Sequence, residues 1–452
     1  MSDEAPLLAR KLGLFDAAML VIGGIVGAGI FMNPAVVAKE VHTAGMILAA
    51  WAFGGAVALA GAFVYAELAY DRPALGGQYA YLKEAMHPMV AFLYGWGLLL
   101  VVQTGGMAAV AMTFAHYFVS MTHISVGEGP VAIGALALLT IVNCLGVKAG
   151  SNVQNLLTVL KMGAIGFLII AGFAGLNRTG IELTPFIDRP GTVSALGAFG
   201  AALIPVLFAY GGWQTACFVG TELKQPERNL PLGLLFGVLG VAALYLGVNL
   251  VCLYALGPDQ LAASKAPATE VMRMALGEKG AMIIALGITI STLGFLSQGM
   301  LTAPRVYFAM ASDGLFFKKI AQVNPRTQVP VFAVALQGVL ACIIALSGSY
   351  GRILNYVVSV DFIFYGLTAA CLFIYRSRFP SRTQVAMFRV PGHPFTTLFF
   401  MLSCWVVVVA TVWKYPGDSL IGLGILAAGV PVYLYWNGRR ETEDANDGQE
   451  TP

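Results

Sequence analysis

Twelve stretches of mostly apolar residues, each long enough to cross a bilayer as a helix, follow one another along this chain with only short polar connections between them. A helix needs about 20 such residues to span a hydrocarbon core of about 30 Å. The spans are placed near 15–38, 44–67, 88–120, 131–147, 154–176, 198–221, 231–256, 281–304, 330–347, 353–375, 394–413 and 418–437. Segment 258–279 is amphipathic and is expected at the surface. Hydrophobic residues make up 58% of the 452 and charged residues 11%, against about 45–50% and about 25% in a soluble domain. Such a chain cannot cover its surface with polar groups, and lipid is the solvent that tolerates it. Inside lipid every backbone N–H and C=O needs a partner within the protein, so the expected fold class is an all-α membrane protein of about twelve transmembrane helices.

The ends and the loops set the orientation. Residues 1–13 are polar, and the apolar run that follows is too long for the h-region of a cleaved signal, so it reads as the first span. With the N-terminus inside, seventeen of the 26 basic residues fall on that side, eight fall outside and one, Lys161, lies within a span. Basic loops face the cytoplasm, and an even span count puts both termini there. The densest basic loop, 376–389, joins the inner set. The tail after Arg440 is short, acidic and expected to be disordered. A net charge of +3, with no basic run interleaved with aromatics, gives no sign of a nucleic-acid partner.

Cys144, Cys217, Cys252, Cys342, Cys371 and Cys404 lie singly in apolar stretches, without disulfide or metal spacing, and read as small core residues. His42, His87, His116, His123 and His393 lie at span ends or in loops and do not cluster. No cofactor, metal or catalytic constellation is indicated, and an enzyme is not expected. A channel would show a filter loop or a ring of charge, and neither is seen.

Two spans are poor helices. The first reads Gly23-Gly24-Ile25-Val26-Gly27-Ala28-Gly29-Ile30-Phe31, and each glycine weakens a helix by roughly 1 kcal/mol relative to alanine. The segment is either unwound at its midpoint, with free backbone groups that bind a ligand, or a small-residue seam for close helix packing. The sixth span repeats the oddity in Phe208-Ala209-Tyr210-Gly211-Gly212-Trp213. Interrupted helices at corresponding positions of two halves point to a carrier's binding site, and spans 1 and 6 correspond if the core is two five-helix repeats. Such a site suits a zwitterion. Free N–H groups at the start of the second half of span 1 meet a carboxylate, and unwound carbonyls accept from an ammonium.

The motifs carry a family resemblance. Gly27-Ala28-Gly29-Ile30-Phe31, Tyr65-Ala66-Glu67-Leu68, Pro73, Gly76-Gly77-Gln78-Tyr79 and Tyr81-Leu82 resemble the amino acid–polyamine–organocation (APC) superfamily. So do Pro304-Arg305 through Asp313-Gly314, Pro325-Arg326 to Pro330, and Phe388-Arg389-Val390-Pro391-Gly392. Phe208 to Pro231, with Glu222, Pro226 and Arg228-Asn229-Leu230-Pro231, resembles its L-amino acid transporter branch. The resemblance implies a five-plus-five inverted repeat with helices 1 and 6 unwound, and alternating access. The organisation would then be a cytoplasmic N-terminus (1–14), a first repeat (15–176), a second repeat (198–375), two further spans (394–437) and a cytoplasmic tail (438–452).

By that resemblance the substrate carboxylate would meet the backbone at Ala28 and Gly29, with Gly27 beside them in the binding site. The ammonium would meet carbonyls near Val26, Phe208, Ala209 and Gly211, and Phe208 would be the aromatic gate. Relatives often carry serine at the position of Ala28, and animal members carry asparagine at that of Gln214, which leaves side-chain selectivity open. Loop 121–129 holds no cysteine, so the disulfide-linked heavy subunit of animal members is not expected, and a one-chain bacterial inner-membrane carrier is.

Charges within the spans complete the expectation. Lys161, in span 5 about two turns from its cytoplasmic end, is expected where sodium-coupled relatives of the fold hold a cation. It would couple transport either as a fixed charge or through a proton; the alternative is a lysine that snorkels to the interface. Asp361, about two turns from the outer end of span 10, is either a coupling or substrate-facing acid or a hydrogen-bonded structural partner. Glu67 and Arg305 read as structural links of an inner gate. The expected activity is sodium-independent transport of amino acids, chiefly neutral L-amino acids, by exchange or proton symport, with the amino acid and the lipid bilayer as partners. The alternative is an amine or polyamine carrier, which would want an acidic pocket.

Overall fold

The computed structural model describes residues 10–72, 74–176, 180–187, 192–346, 350–378 and 388–447. Pro73 of the motifs above lies outside the described residues, as does most of the basic loop 376–389.

Helix accounts for nearly all of the described chain. The first span is two helices, α1 (Leu14–Ile25) and α2 (Gly29–Val41), bent by 42° about the residues between them. Then follow α3 (Ala44–Asp71), a short α4 (Gln78–Ala85), and a third span built from α5 (Pro88–Gly97), a π-turn (Leu98–Val102) and α6 (Gln103–Thr122). Next come α7 (Glu128–Cys144), α8 (Val147–Gly175), and α9 (Thr192–Tyr210), which runs on into a 3₁₀ stretch (Trp213–Glu222). After these come α10 (Pro226–Ala263), α11 (Pro267–Thr302), a short α12 (Pro304–Ser312), α13 (Val331–Ala345), α14 (Tyr350–Arg378), α15 (Phe395–Lys414) and α16 (Pro416–Asp447). Among the described residues nine segments are long and apolar enough to cross a membrane, the bent pair makes a tenth, and α7 and α13 are shorter apolar helices where the fourth and ninth spans are expected.

The lipid-facing and protein-facing sides of these helices separate by neighbour rather than by polarity. On α8, Leu156, Leu160, Phe167 and Ile170 are exposed, as suits a helix whose outer neighbour is hydrocarbon. Its inner face packs on α11, and α3 packs on α10. Trp51, Tyr210 and Tyr245 meet there in a buried aromatic cluster, with ring centroids 5.0–5.9 Å apart.

Two sequence expectations are revised, and the amphipathic reading of a third segment holds. Helix α8 begins at Val147, so Lys161 lies about four turns into it rather than two. The extra turns, 147–153, carry a polar residue bonded to another helix: Ser151 Oγ donates to Asp16 Oδ1 at 3.0 Å, joined there by Asn155 Nδ2 of the expected span at 2.6 Å. Segment 258–279 is helical, set off from spans 7 and 8 by Gly257 and Gly277, both at positive φ; Leu261, Val271 and Met272 are buried and Arg273, Glu278 and Lys279 exposed, the amphipathic division expected. The first part of the tail is not irregular: α16 continues to Asp447.

One end of the bundle is laced by charge. Glu67, fully buried, accepts from Arg376 Nε and Nη2 at 2.8 and 2.7 Å and from the Val390 amide at 2.6 Å. Arg305 pairs with Glu222 at 2.7 Å, both buried. Lys83 and Tyr79 reach Asp313, and Arg72 reaches Glu84. At the same end the chain entering α1 pairs with the chain leaving the 3₁₀ stretch: the Leu12 amide donates to Glu222 O at 3.1 Å, and the Lys224 amide to Leu12 O at 2.8 Å.

Candidate functional site

The two breaks face each other at mid-bundle. They approach so closely that a Cβ on Gly212, whose φ is +101°, would fall onto the Gly24 carbonyl. One cavity of about 80 Å³ lies against both. From the first break Gly24, Ile25, Gly27, Ala28 and Gly29 line it; from the second, Phe208, Ala209, Gly211, Gly212, Gln214 and Thr215. Val102, Gln103, Gly106 and Val110 close it from span 3, Phe295 and Gln298 from α11, and Val357, Val358, Asp361 and Phe362 from α14.

At the first break the carbonyls of Gly23, Ile25, Val26 and Gly27 are bonded, as are the amides of Val26 and Gly27, but the next two amides are not. The Lys161 ammonium donates to Gly23 O at 3.0 Å and to Val26 O at 2.6 Å. Ser291 Oγ donates to Gly27 O at 3.1 Å. The Tyr245 hydroxyl lies 3.1 Å from Ile25 O and 3.2 Å from Ala209 O, sharing its one hydrogen between the two broken spans. By contrast the amides of Ala28 and Gly29, at the start of the 13-residue α2, have no partner among the described residues. A helix start without bonded N–H groups, carrying the positive end of the helix dipole, is a seat for an anion.

The second break presents the opposite polarity. It follows the C-terminal end of α9, where carbonyls run out of intrahelical donors. Phe208 O accepts from the Gly211 amide at 3.1 Å and Ala209 O from Tyr245, and each carbonyl keeps a second lone pair. Gln298 Nε2 donates to Thr215 Oγ at 2.5 Å, and Thr215 Oγ to Gly212 O at 2.6 Å, so α11 holds the turn in place. Beyond it the 3₁₀ stretch is unusually long for that helix type.

Of the residues singled out from sequence, Gly27, Ala28, Gly29, Phe208, Ala209, Gly211, Gln214 and Asp361 come together on this cavity. Val26 and Lys161 do not line it: both are fully buried behind the first break, and Lys161 takes the Val26 carbonyl that sequence reasoning offered to an ammonium. Glu67 and Arg305 lie at the charged end, away from the cavity lining. Sequence reasoning missed Tyr245, Ser291, Thr215, Gln298 and Gln103. Their only signal is that each is a polar group within an apolar span. Gln103 and Val102 face the cavity at the π-turn of span 3, the type of helix defect that recurs at functional sites.

Comparison with known proteins agrees with this geometry. The chain is 31% identical over 444 residues to the serine/threonine exchanger SteT of Bacillus subtilis, covering 97% of this chain and 100% of that one. It is 28% identical over 443 residues to the human large neutral amino acids transporter small subunit 2, with 95% and 81% covered. It is 31% identical over 383 residues to the rabbit (Oryctolagus cuniculus) b(0,+)-type amino acid transporter 1, with 83% and 78% covered. The profile of the amino acid permease family matches residues 12–430. The chain therefore belongs to the amino acid permease family of the APC superfamily, a family of multi-pass membrane transporters and not of enzymes.

Proposed function

We propose that this protein carries neutral L-amino acids across a bacterial inner membrane by sodium-independent exchange, as one chain working by alternating access between two inverted five-helix repeats. The observation that carries the reading is the unequal satisfaction of the first break. The carbonyls of Gly23, Ile25, Val26 and Gly27 are bonded, the amides of Ala28 and Gly29 are free, and these two residues line a cavity that also borders the carbonyl-rich end of α9. That pairing of an anion seat with a cation seat is the chemistry of a zwitterion. Phe208 is the aromatic gate over it. The cavity, at about 80 Å³, compares with the space of several waters at roughly 10–15 Å³ each, which favours small amino acids.

Lys161 supports independence from sodium. Its ammonium occupies the carbonyls of Gly23 and Val26, where, by resemblance, sodium-coupled carriers of this fold hold a cation. Two carbonyl acceptors stabilise the charged form of the amine, so a fixed charge and exchange are favoured over proton symport. The laced end of the bundle, with both termini, faces the cytoplasm in this reading. The names of the relatives, an exchanger and amino acid transporter subunits, point the same way. An amine or polyamine would leave the free amides without an anion.

The test is uptake of labelled neutral L-amino acids into liposomes holding the purified protein, in sodium-free buffer. Uptake that requires the same amino acids inside and ignores a proton gradient is expected. A strict sodium requirement, or uptake of amines alone, would overturn the reading, and gradient-driven uptake into empty liposomes would replace exchange by symport.

A further inference from the structure

The substrate's backbone charges have partners in the two breaks, yet the cavity carries one more acidic group than they need. Asp361 on α14 is, among the described residues, the only ionisable side chain lining it. It is 8% exposed, and its Oδ1 is buried with no hydrogen-bond partner. Gln214, on the 3₁₀ stretch, is 2% exposed, and its Oε1 is likewise buried without a partner. Of the two other amides beside the cavity, Gln103 and Gln298, the second donates through its nitrogen to Thr215. Two residues that line one space therefore each carry a buried oxygen without a hydrogen bond, and the donor beside Asp361, the Tyr365 hydroxyl, is itself unpaired. A buried acceptor without a donor costs the protein its desolvation, so a ligand that supplies the donor gains what the empty site lacks.

The position of Asp361 separates it from the backbone seats. It comes from span 10, on the wall made with Val357, Phe362 and, from span 3, Val102 and Val110. Apart from Gln103 of span 3, that wall is otherwise apolar, as suits a side-chain pocket. We propose that Asp361, with Gln214, reads a hydrogen-bond donor at the end of a short substrate side chain, a hydroxyl within the neutral class above or, extending that class, an ammonium, so that the carrier selects such side chains over apolar ones of equal size. This rests on the amino acid reading above and names its substrate class. A site built to bond a polar group rejects the analogue lacking it far more strongly than an apolar pocket separates two sizes.

Threonine and valine make the decisive pair, since they match in shape and differ by the hydroxyl. The test measures competition by each against labelled substrate uptake in liposomes, with 2,3-diaminopropionate against 2-aminobutyrate as a second pair. Threonine, diaminopropionate or both should compete about tenfold or more better than their apolar partners, and whichever pair separates tells whether the donor is a hydroxyl or an ammonium. Asp361→Ala and Gln214→Leu should lower that ratio toward one, and Asp361→Asn, which keeps an acceptor oxygen, should lower it less. Ratios near one in the wild type would overturn the proposal without needing any variant to fold. So would a fall of both members of a pair together in Asp361→Ala, since that is the mark of a carboxylate serving the α-ammonium. Absence of competition by every amino acid would sink the transport reading itself.

Discussion

The crossing of the two broken spans predicts the effect of a single methyl group. Gly212 stands at φ +101°, and a Cβ there would overlap the carbonyl of Gly24. For Gly212→Ala the left-handed backbone adds about 1–2 kcal/mol. Forcing the backbones apart adds about 1–3 kcal/mol by the measure of overpacked cores, for a total of roughly 2–5 kcal/mol. Gly24→Ala separates the two causes: it lies in α1, so only the overpacking applies, against the Gly212 carbonyl at 2.5 Å and Thr215 Oγ at 3.0 Å. Gly163→Ala is the control. It sits within α8, where an added methyl would meet nothing inside 4 Å, and alanine there should stabilise by up to about 1 kcal/mol. Thermal unfolding in mild detergent and liposome uptake should rank the variants Gly163→Ala, wild type, Gly24→Ala, Gly212→Ala, with uptake lost first in the last. A Gly212→Ala protein as stable as the wild type and equally active would refute the close crossing.

Two further perturbations test the breaks separately. Lys161→Met deletes both bonds to the first break and leaves the carbonyls of Gly23 and Val26 without their donor, at a cost of about 1–3 kcal/mol for each orphaned acceptor. Its uptake should fall at least tenfold, and an unchanged rate with unchanged pH dependence would end the role of Lys161 in coupling. Phe208→Ala opens the cavity wall beside the second break. Uptake should fall strongly while the thermal unfolding temperature stays near that of the wild type, since Phe208 is only partly buried, and normal uptake would remove Phe208 as the gate.

What the sequence made legible follows the range over which each cause acts. Long apolar runs are local, so the spans could be placed within a few residues wherever their ends meet water. The placement slipped on α8, where Ser151 in the extra turns bonds Asp16, more than 130 residues away. Glycine breaks are also local, and Gly27, Gly29, Gly211 and Gly212 marked the site. The groups that lock the breaks are not local: Tyr245, Ser291 and Gln298 reach them across the fold and look in sequence like any isolated polar residue of a span. The fate of the Val26 carbonyl was hidden for that reason, because the residue that claims it lies 135 positions on. The π-turn over Leu98–Val102 was hidden for another, since Leu-Leu-Leu-Val-Val is an ordinary helical run whose defect is imposed by its neighbours.

In the alternating cycle proposed above, the laced end of the bundle bears on how a fold with tightly joined breaks would open. Leu12 and Glu222 bind the entry of span 1 to the exit of the span 6 break, so movement of either broken helix away from that end must also part the contacts around Glu222. The Arg305–Glu222 pair is almost wholly buried, at 1% and 0% exposure, which at first sight makes it a lock on that end. Burial works the other way. Removing two charges from water costs several kcal/mol for each ion, which offsets most of the attraction between them. If opening hydrates both partners together, that desolvation is recovered as the bond is lost, and the net cost is small. Removing one partner, by contrast, strands the other in the protein. A bidentate pair such as Arg376 with Glu67 adds direction to the same balance: its geometry is made or lost as a unit. Ion pairs of this kind fix which closed arrangement forms without making it deep. A carrier that alternates needs two states within a few kcal/mol of each other, and an apolar seal of the same area, with no hydration to regain, would hold this end closed more firmly.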